Sequence, residues 1–145
     1  MPPRLLRSML FAGLALGLSP ALAQSSPETT GTKHVDAPAG RAVVMNFENE
    51  TALNTLAAKG KTVVFFFASW CPNCRATVTE LNARWAEVNP DITLVIADYD
   101  KETALKAKFG ITYQDTFVLL DETGKTAKFW NGGGVDGLNA NTASF

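Results

Sequence analysis

Five consecutive apolar residues, Val63-Val64-Phe65-Phe66-Phe67, form a run with no polar face. Its length and its β-branched and aromatic content predict a strand buried on both sides, at the centre of a sheet covered by helices. Downstream the period changes. Cys74, Val78, Leu81, Trp85 and Val88 recur at offsets of 4, 7, 11 and 14, which is one face of a helix continuing to Val88. Around this pair, Arg41 to Phe47 reads as a first strand through Val43, Val44, Met45 and Phe47. A helix follows, capped by Asn49, with Leu53, Leu56 and Ala57 inward and Gly60 at its end. Asn89-Pro90 stops the next helix, and Thr93 to Ala97 is a strand parallel to the central run, because a helix intervenes. Asp98 to Gly110 holds a short helix with Ala104, Leu105, Lys108 and Phe109; Thr116 to Leu120 is a third apolar run. After a turn at Asp121-Glu122-Thr123-Gly124-Lys125, Thr126 to Trp130 returns antiparallel. The order β-α-β-α-β-α-β-β defines an α/β domain with a mixed sheet. Gly132-Gly133-Gly134 reads as a flexible turn, without the strand and helix context of a phosphate loop. Beyond it only Val135 and Leu138 are suited to a buried face and Gly137 interrupts, so a closing helix is expected to be short or absent.

The junction between central strand and helix carries the chemistry, in Trp70-Cys71-Pro72-Asn73-Cys74. With Cys71 at the N-cap, Pro72 occupies the first helical position, where its missing N–H costs nothing, and Cys74 lies one turn along the same face. A disulfide between the two can close. Free N–H groups and the positive end of the helix dipole favour a thiolate on Cys71. That makes Cys71 the expected attacking sulfur and Cys74 the resolving one. Zinc is a weaker reading, since a closed site needs four ligands and the chain has two cysteines and one distant histidine, His34. A purely structural staple is weaker too, because so short a loop removes little unfolded-state entropy.

The stretch Phe67-Ala68-Ser69-Trp70-Cys71-Pro72-Asn73-Cys74 after an apolar strand resembles the active site of the thioredoxin family, in particular its extracytoplasmic thiol-disulfide oxidoreductases. The resemblance runs from about Ala42 to Trp130 and implies a thioredoxin-like fold, with a central mixed sheet flanked by helices. It further implies an exposed first cysteine and a shielded second. The activity implied is disulfide exchange with protein thiols, without a cofactor beyond the redox-active pair; a membrane thiol donor would supply electrons to a reductant. A monomer is expected.

Two positions, 115 and 65, depart from the family pattern. Where it usually has a cis-proline before the strand entered at Thr116, this chain has Asp115, within Tyr113-Gln114-Asp115-Thr116, so that loop is expected to differ locally. A carboxylate near Cys71 opposes the thiolate and makes the couple more reducing; the other reading turns Asp115 to water or into a turn cap. Phe65 stands where many relatives bury a carboxylate that helps deprotonate the second cysteine. Asn73 can only hydrogen-bond, which favours a reductant over a strong oxidant. Trp70 and Tyr113 are candidate rim residues for substrate contact. As an alternative, the two thiolates suit Cu(I). The Tyr113 to Thr116 segment is loosely similar to the loop that carries a histidine ligand in copper-delivering thioredoxin-fold proteins, with Asp115 in its place.

The chain has 145 residues, 46% of them apolar, enough for one domain and one modest core. Residues 1–23 read as a secretory signal, with Arg4 and Arg7 before an apolar centre from Met9 to Leu18 and an Ala21-Leu22-Ala23 cleavage site. Residues 24–40, rich in Ser, Thr, Pro and Gly, read as a flexible leader and 41–145 as the domain. This places the protein in the periplasm or outside the cell. Removing Arg4 and Arg7 leaves 11 basic and 14 acidic side chains, a charge of −3, which gives nucleic-acid binding no support.

Overall fold

The computed structural model describes residues 40–145; the expected signal segment 1–23 and, apart from Gly40, the expected leader 24–40 lie outside that range, as does His34. The elements are β1 (Val43–Asn46), α1 (Glu50–Lys59), β2 (Thr62–Phe67), α2 (Pro72–Arg84), β3 (Thr93–Asp98), α3 (Thr103–Phe109), β4 (Thr116–Leu120), β5 (Thr126–Asn131) and α4 (Gly134–Thr142). They form a thioredoxin fold, one five-stranded mixed sheet in the order β1-β3-β2-β4-β5 flanked by four helices. β1 and β2 run parallel to β3, while β4 is antiparallel to both β2 and β5.

The period of two along β2 divides the core. Val63 and Phe65 face one layer, with Leu81 of α2 and Val135 and Leu138 of α4. Val64 and Phe66 face the other, with Leu53 and Ala57 of α1 and Leu105 and Phe109 of α3. All four β2 residues are fully buried, as an apolar run without alternation requires. Local signals set the helix ends. The Asn49 side chain accepts the Ala52 N–H at 2.9 Å, and Gly110 closes α3 in the left-handed region at φ +67°.

Two expectations need correction. Helix α2 ends at Arg84, and Trp85–Glu87 continue as a single 3-10 turn, so Val88 reaches the core from an extended residue and not from the same helix. At the end of the chain α4 is present over nine residues. Its weak apolar face suffices because other contacts hold it. Glu80 accepts the Val135 N–H at 3.2 Å, Asn139 exchanges hydrogen bonds with the Asn89 N–H and the Glu87 carbonyl, and Arg84 pairs with Asp136 at 2.8 Å. The glycine turn before it is equally defined, with Gly132, Gly133 and Gly134 all at positive φ and the Gly134 Cα against the Glu80 carboxylate, where a side chain has no room.

Where the active-site end of the sheet meets α2, Phe117 lies between Phe65 and Trp130, its ring centroid 4.4 Å from the first and 5.4 Å from the second. A buried phenyl ring so placed combines transfer free energy with contacts a cavity cannot replace. Phe117→Ala should therefore lower unfolding free energy by about 3–5 kcal/mol in urea titration. A loss below about 1 kcal/mol would show that the stack closes over the deletion.

Candidate active site

Strand β2 and helix α2 place the two cysteines. After Phe67 the chain turns through Ala68-Ser69-Trp70, and the Cys71 N–H bonds back to the Ala68 carbonyl at 3.1 Å. Cys71 caps α2 with extended backbone, and its Sγ accepts the Cys74 N–H at 3.4 Å. Pro72 follows as the first helical residue. Cys74 Sγ lies inward and accepts the Ala68 N–H at 3.5 Å. Both cysteines are free thiols. The family resemblance implied an exposed Cys71, but it is only 3% exposed, and Cys74 is fully buried. Cys71 reaches solvent through a groove of about 470 Å³ that it lines together with Asn73, the segment 110–116, and Phe129, Trp130 and Asn131 of β5.

The segment before β4 forms the opposite wall. Asp115 is held on both sides of its own peptide unit: its N–H donates to the Phe66 carbonyl at 3.0 Å, and its carbonyl accepts the Gly132 N–H at 2.8 Å. Its φ is +60°, the one positive value among the described non-glycine residues, so the loop does differ locally where the family pattern has proline. Of the two readings of Asp115, the structure selects the inward one: the residue is 5% exposed and its Oδ1 is buried without a hydrogen-bond partner. The Thr116 hydroxyl donates to the Tyr113 carbonyl at 2.8 Å, and the Asn131 amide ties Gln114 to Thr116. Tyr113 is 72% exposed on the groove rim. Trp70, 54% exposed, stands outside the groove, its indole N–H bonded to Asp100 at 2.8 Å.

Several wall residues were not among the sequence candidates. Phe129, Trp130 and Asn131 arrive through the β4–β5 register, which sets Trp130 opposite Phe117 and Asn131 opposite Thr116. A regular hairpin register drawn from the Asp121 to Lys125 turn would have set Phe129 opposite Phe117; the irregularity between Leu119 and Leu120 shifts the pairing by one residue. Thr77 is a second such residue. It lies one turn after Cys74 on the same face of α2, is buried, and turns its hydroxyl toward the Asp115 carboxylate.

The two thiols are set apart electrostatically. Burial would raise the Cys71 pKa, but the Cys74 N–H, the Cys74 thiol and the Asn73 N–H together outweigh it, so Cys71 lies below the usual thiol value despite the opposing charge of Asp115. Burial, only partly offset by the Ala68 N–H, pushes Cys74 up to about 11, with Cys71 and Asp115 adding to the rise. Cys71 is thus the sulfur that ionises first. Asp115 is itself raised by burial, with partial relief from Thr77. Among the described residues no group of three or more His, Cys, Asp and Glu side chains is placed to hold a metal ion.

Fold and site together define a class: an α/β protein with a cysteine pair spanning the first turn of the helix that leaves its central strand. The family model described as Thioredoxin matches residues 42–143, and the chain belongs to the thioredoxin family. It is 30% identical over 109 residues to Thioredoxin-2 of Pyricularia oryzae, covering 74% of this chain and 61% of that relative's length. Among solved structures it is similar to the thioredoxin of Fasciola hepatica, with a TM-score of 0.55 and 27% identity over 66% of this chain and 88% of that one. A thioredoxin from Nicotiana alata matches with a TM-score of 0.58 and 25% identity, over 74% of this chain and 95% of that one.

A raised carboxyl pKa means that the folded state binds the Asp115 proton more tightly than the unfolded chain does. Stability is then highest below the unfolded value near 3.8 and is lost as pH rises through the folded value. Asp115→Asn removes that loss. In the dithiol form the variant should be more stable than the parent at about pH 8, by about 1–3 kcal/mol, with the difference shrinking toward about pH 4. Urea titrations at both pH values check this; a variant less stable than its parent at the higher pH would show a carboxylate that is favourably paired.

Proposed function

We propose that the protein is an exported thiol-disulfide oxidoreductase that reduces disulfides of protein substrates. One observation carries the reading: Cys71 caps α2 with its sulfur facing the helix N–H groups and lining the groove, while Cys74 waits beneath it with a higher pKa. The Cys71 thiolate attacks one sulfur of a substrate disulfide, forming a mixed disulfide and releasing the other sulfur as a thiolate. Cys74 then attacks Cys71 Sγ, closing the Cys71–Cys74 disulfide and releasing the second substrate thiol. The substrate gains two electrons, the protein loses two, and no cofactor enters. The groove, rimmed by Tyr113 and Phe129, suits an extended polypeptide with an apolar side chain beside its disulfide.

Direction follows from charge. The helix start favours the Cys71 thiolate, but Asp115 acts against both thiols, and a dithiol whose ionised form is opposed makes a more reducing couple. The signal-like residues 1–23 support export, and a membrane thiol donor is the matching electron source outside the cytoplasm.

Turnover of insulin disulfides with dithiothreitol should vanish in Cys71→Ser, whereas Cys74→Ser should trap the mixed disulfide. Equilibration with dithiothreitol buffers should give a reduction potential near about −270 mV. Unchanged turnover in Cys71→Ser sinks the reading, and a potential near about −120 mV reverses the direction of electron flow.

A further inference from the structure

Four consecutive carbonyls in the wall of the groove are each taken up by the protein itself. The Thr112 carbonyl accepts the Tyr99 hydroxyl at 2.9 Å, Tyr113 the Thr116 hydroxyl at 2.8 Å, Gln114 the Asn131 amide at 2.9 Å and Asp115 the Gly132 N–H at 2.8 Å. The donors are treated differently. Asp115 gives its N–H to Phe66, but among the described residues the N–H groups of Thr112, Tyr113 and Gln114 have no partner. An oxygen that already accepts one bond is a weaker and more crowded acceptor for another, whereas an unpaired N–H keeps its whole capacity. The main chain of this wall therefore offers donors and few acceptors.

Three of the four caps are side chains, and each is held in place. The Tyr99 ring packs on the cluster of Ala68, Cys71 and Cys74, with the Lys106 ammonium 3.9 Å from its centroid. Thr116 is buried, and the Asn131 amide bonds its hydroxyl as well, at 3.1 Å. What complements such a wall is a segment with carbonyls to give and few N–H groups to satisfy. An anion fits less well, because among the described residues no Lys or Arg lines the groove while Asp115 does. The rim supplies the second half of the match, with Tyr113 72% and Phe129 65% exposed. Proline has a carbonyl and no N–H, and aromatic-lined grooves are the usual seat of proline-rich segments in the polyproline II conformation.

We infer that the groove selects polypeptide disulfides flanked by proline, and that Tyr99, Thr116 and Asn131 are the positioning residues that set this preference by occupying the loop carbonyls. This rests on the oxidoreductase reading and names its substrate class. The N–H groups of Thr112, Tyr113 and Gln114 donate to substrate carbonyls, and proline rings lie against Tyr113 and Phe129 while Cys71 attacks the disulfide. A segment with ordinary N–H groups loses water from them on entering and finds few acceptors in return, which weakens its binding.

Two symmetric peptide dimers test this, each joined by one disulfide, with the cysteine flanked by alanines in one and by prolines in the other. Single-turnover reduction by the dithiol protein is quenched with acid and read by chromatography. Each rate is divided by that with dithiothreitol alone, which removes intrinsic differences in reactivity. The proline dimer should react about 3- to 10-fold faster, the weight of about one hydrogen bond. A dimer flanked by N-methylalanine, which lacks the N–H and also the ring, should fall between them; if it is no faster than the alanine dimer, the proposal is overturned. Asn131→Ala frees the Gln114 carbonyl, and Tyr99→Phe frees that of Thr112 while keeping the ring. In each the ratio of proline to alanine rates should fall toward parity, and a ratio cancels any general loss of activity. Parity in the unaltered protein, or a ratio unchanged in both variants, overturns the proposal while leaving the oxidoreductase reading intact. If neither dimer is reduced at all, that reading falls as well.

Discussion

Strand β2 has no face toward water, with Val63 and Phe65 in the α2 and α4 layer and Val64 and Phe66 in the α1 and α3 layer. Hydrogen bonds to β3 and β4 occupy its two edges. Such a strand is unable to slip by one residue without exchanging the two layers, so its end is fixed in space. Everything chemical in the protein is attached to that end. Ala68 supplies a carbonyl to the Cys71 N–H and an N–H to Cys74 Sγ, while the Phe66 carbonyl anchors Asp115 from the opposite wall. A buried strand is thus the common support of both sulfurs and of the carboxylate beside them.

Two fields meet at the dithiol. The start of α2 stabilises negative charge on Cys71 through the N–H groups of Asn73 and Cys74, and Asp115 opposes it. The first separates the sulfurs into attacking and resolving members; the second raises both, Cys74 included. A proline in the Asp115 position would contribute neither charge nor N–H. Here the N–H is used to join loop to strand, and the charge is kept although an orphaned buried oxygen costs stability. Stability sacrificed at one buried group is a common mark of a working site.

The aromatic stack and the glycine turn show how the wall is kept in place. Phe65 of the central strand stacks on Phe117, which in turn stacks on Trp130 of β5. This carries the position of the central strand outward to the groove. Beyond β5, three glycines at positive φ return the chain so that Gly132 bonds the Asp115 carbonyl and α4 packs on α2. Helix α4 needs little apolar surface of its own because Glu80, Arg84 and Asn139 tie it to the rest.

The element order, the central strand, the N-cap role of Cys71 and the cysteine spacing were all legible in the sequence, because each rests on contacts within a few residues: an unbroken apolar run, a helical period, a proline at the first helical position. The end of α2 at Arg84 and the presence of α4 were not legible, since both depend on partners about fifty residues away. The same holds for the site. The helix N–H groups that favour a thiolate on Cys71 follow from local geometry, and the sequence by itself determined them; the burial that raises Cys74 did not follow from it. How deeply Cys71 is buried, that Asp115 turns inward, and that Thr77, Trp130 and Gly132 surround it were decided only by the tertiary structure, because a side chain's burial and field are set by what the rest of the chain packs against it.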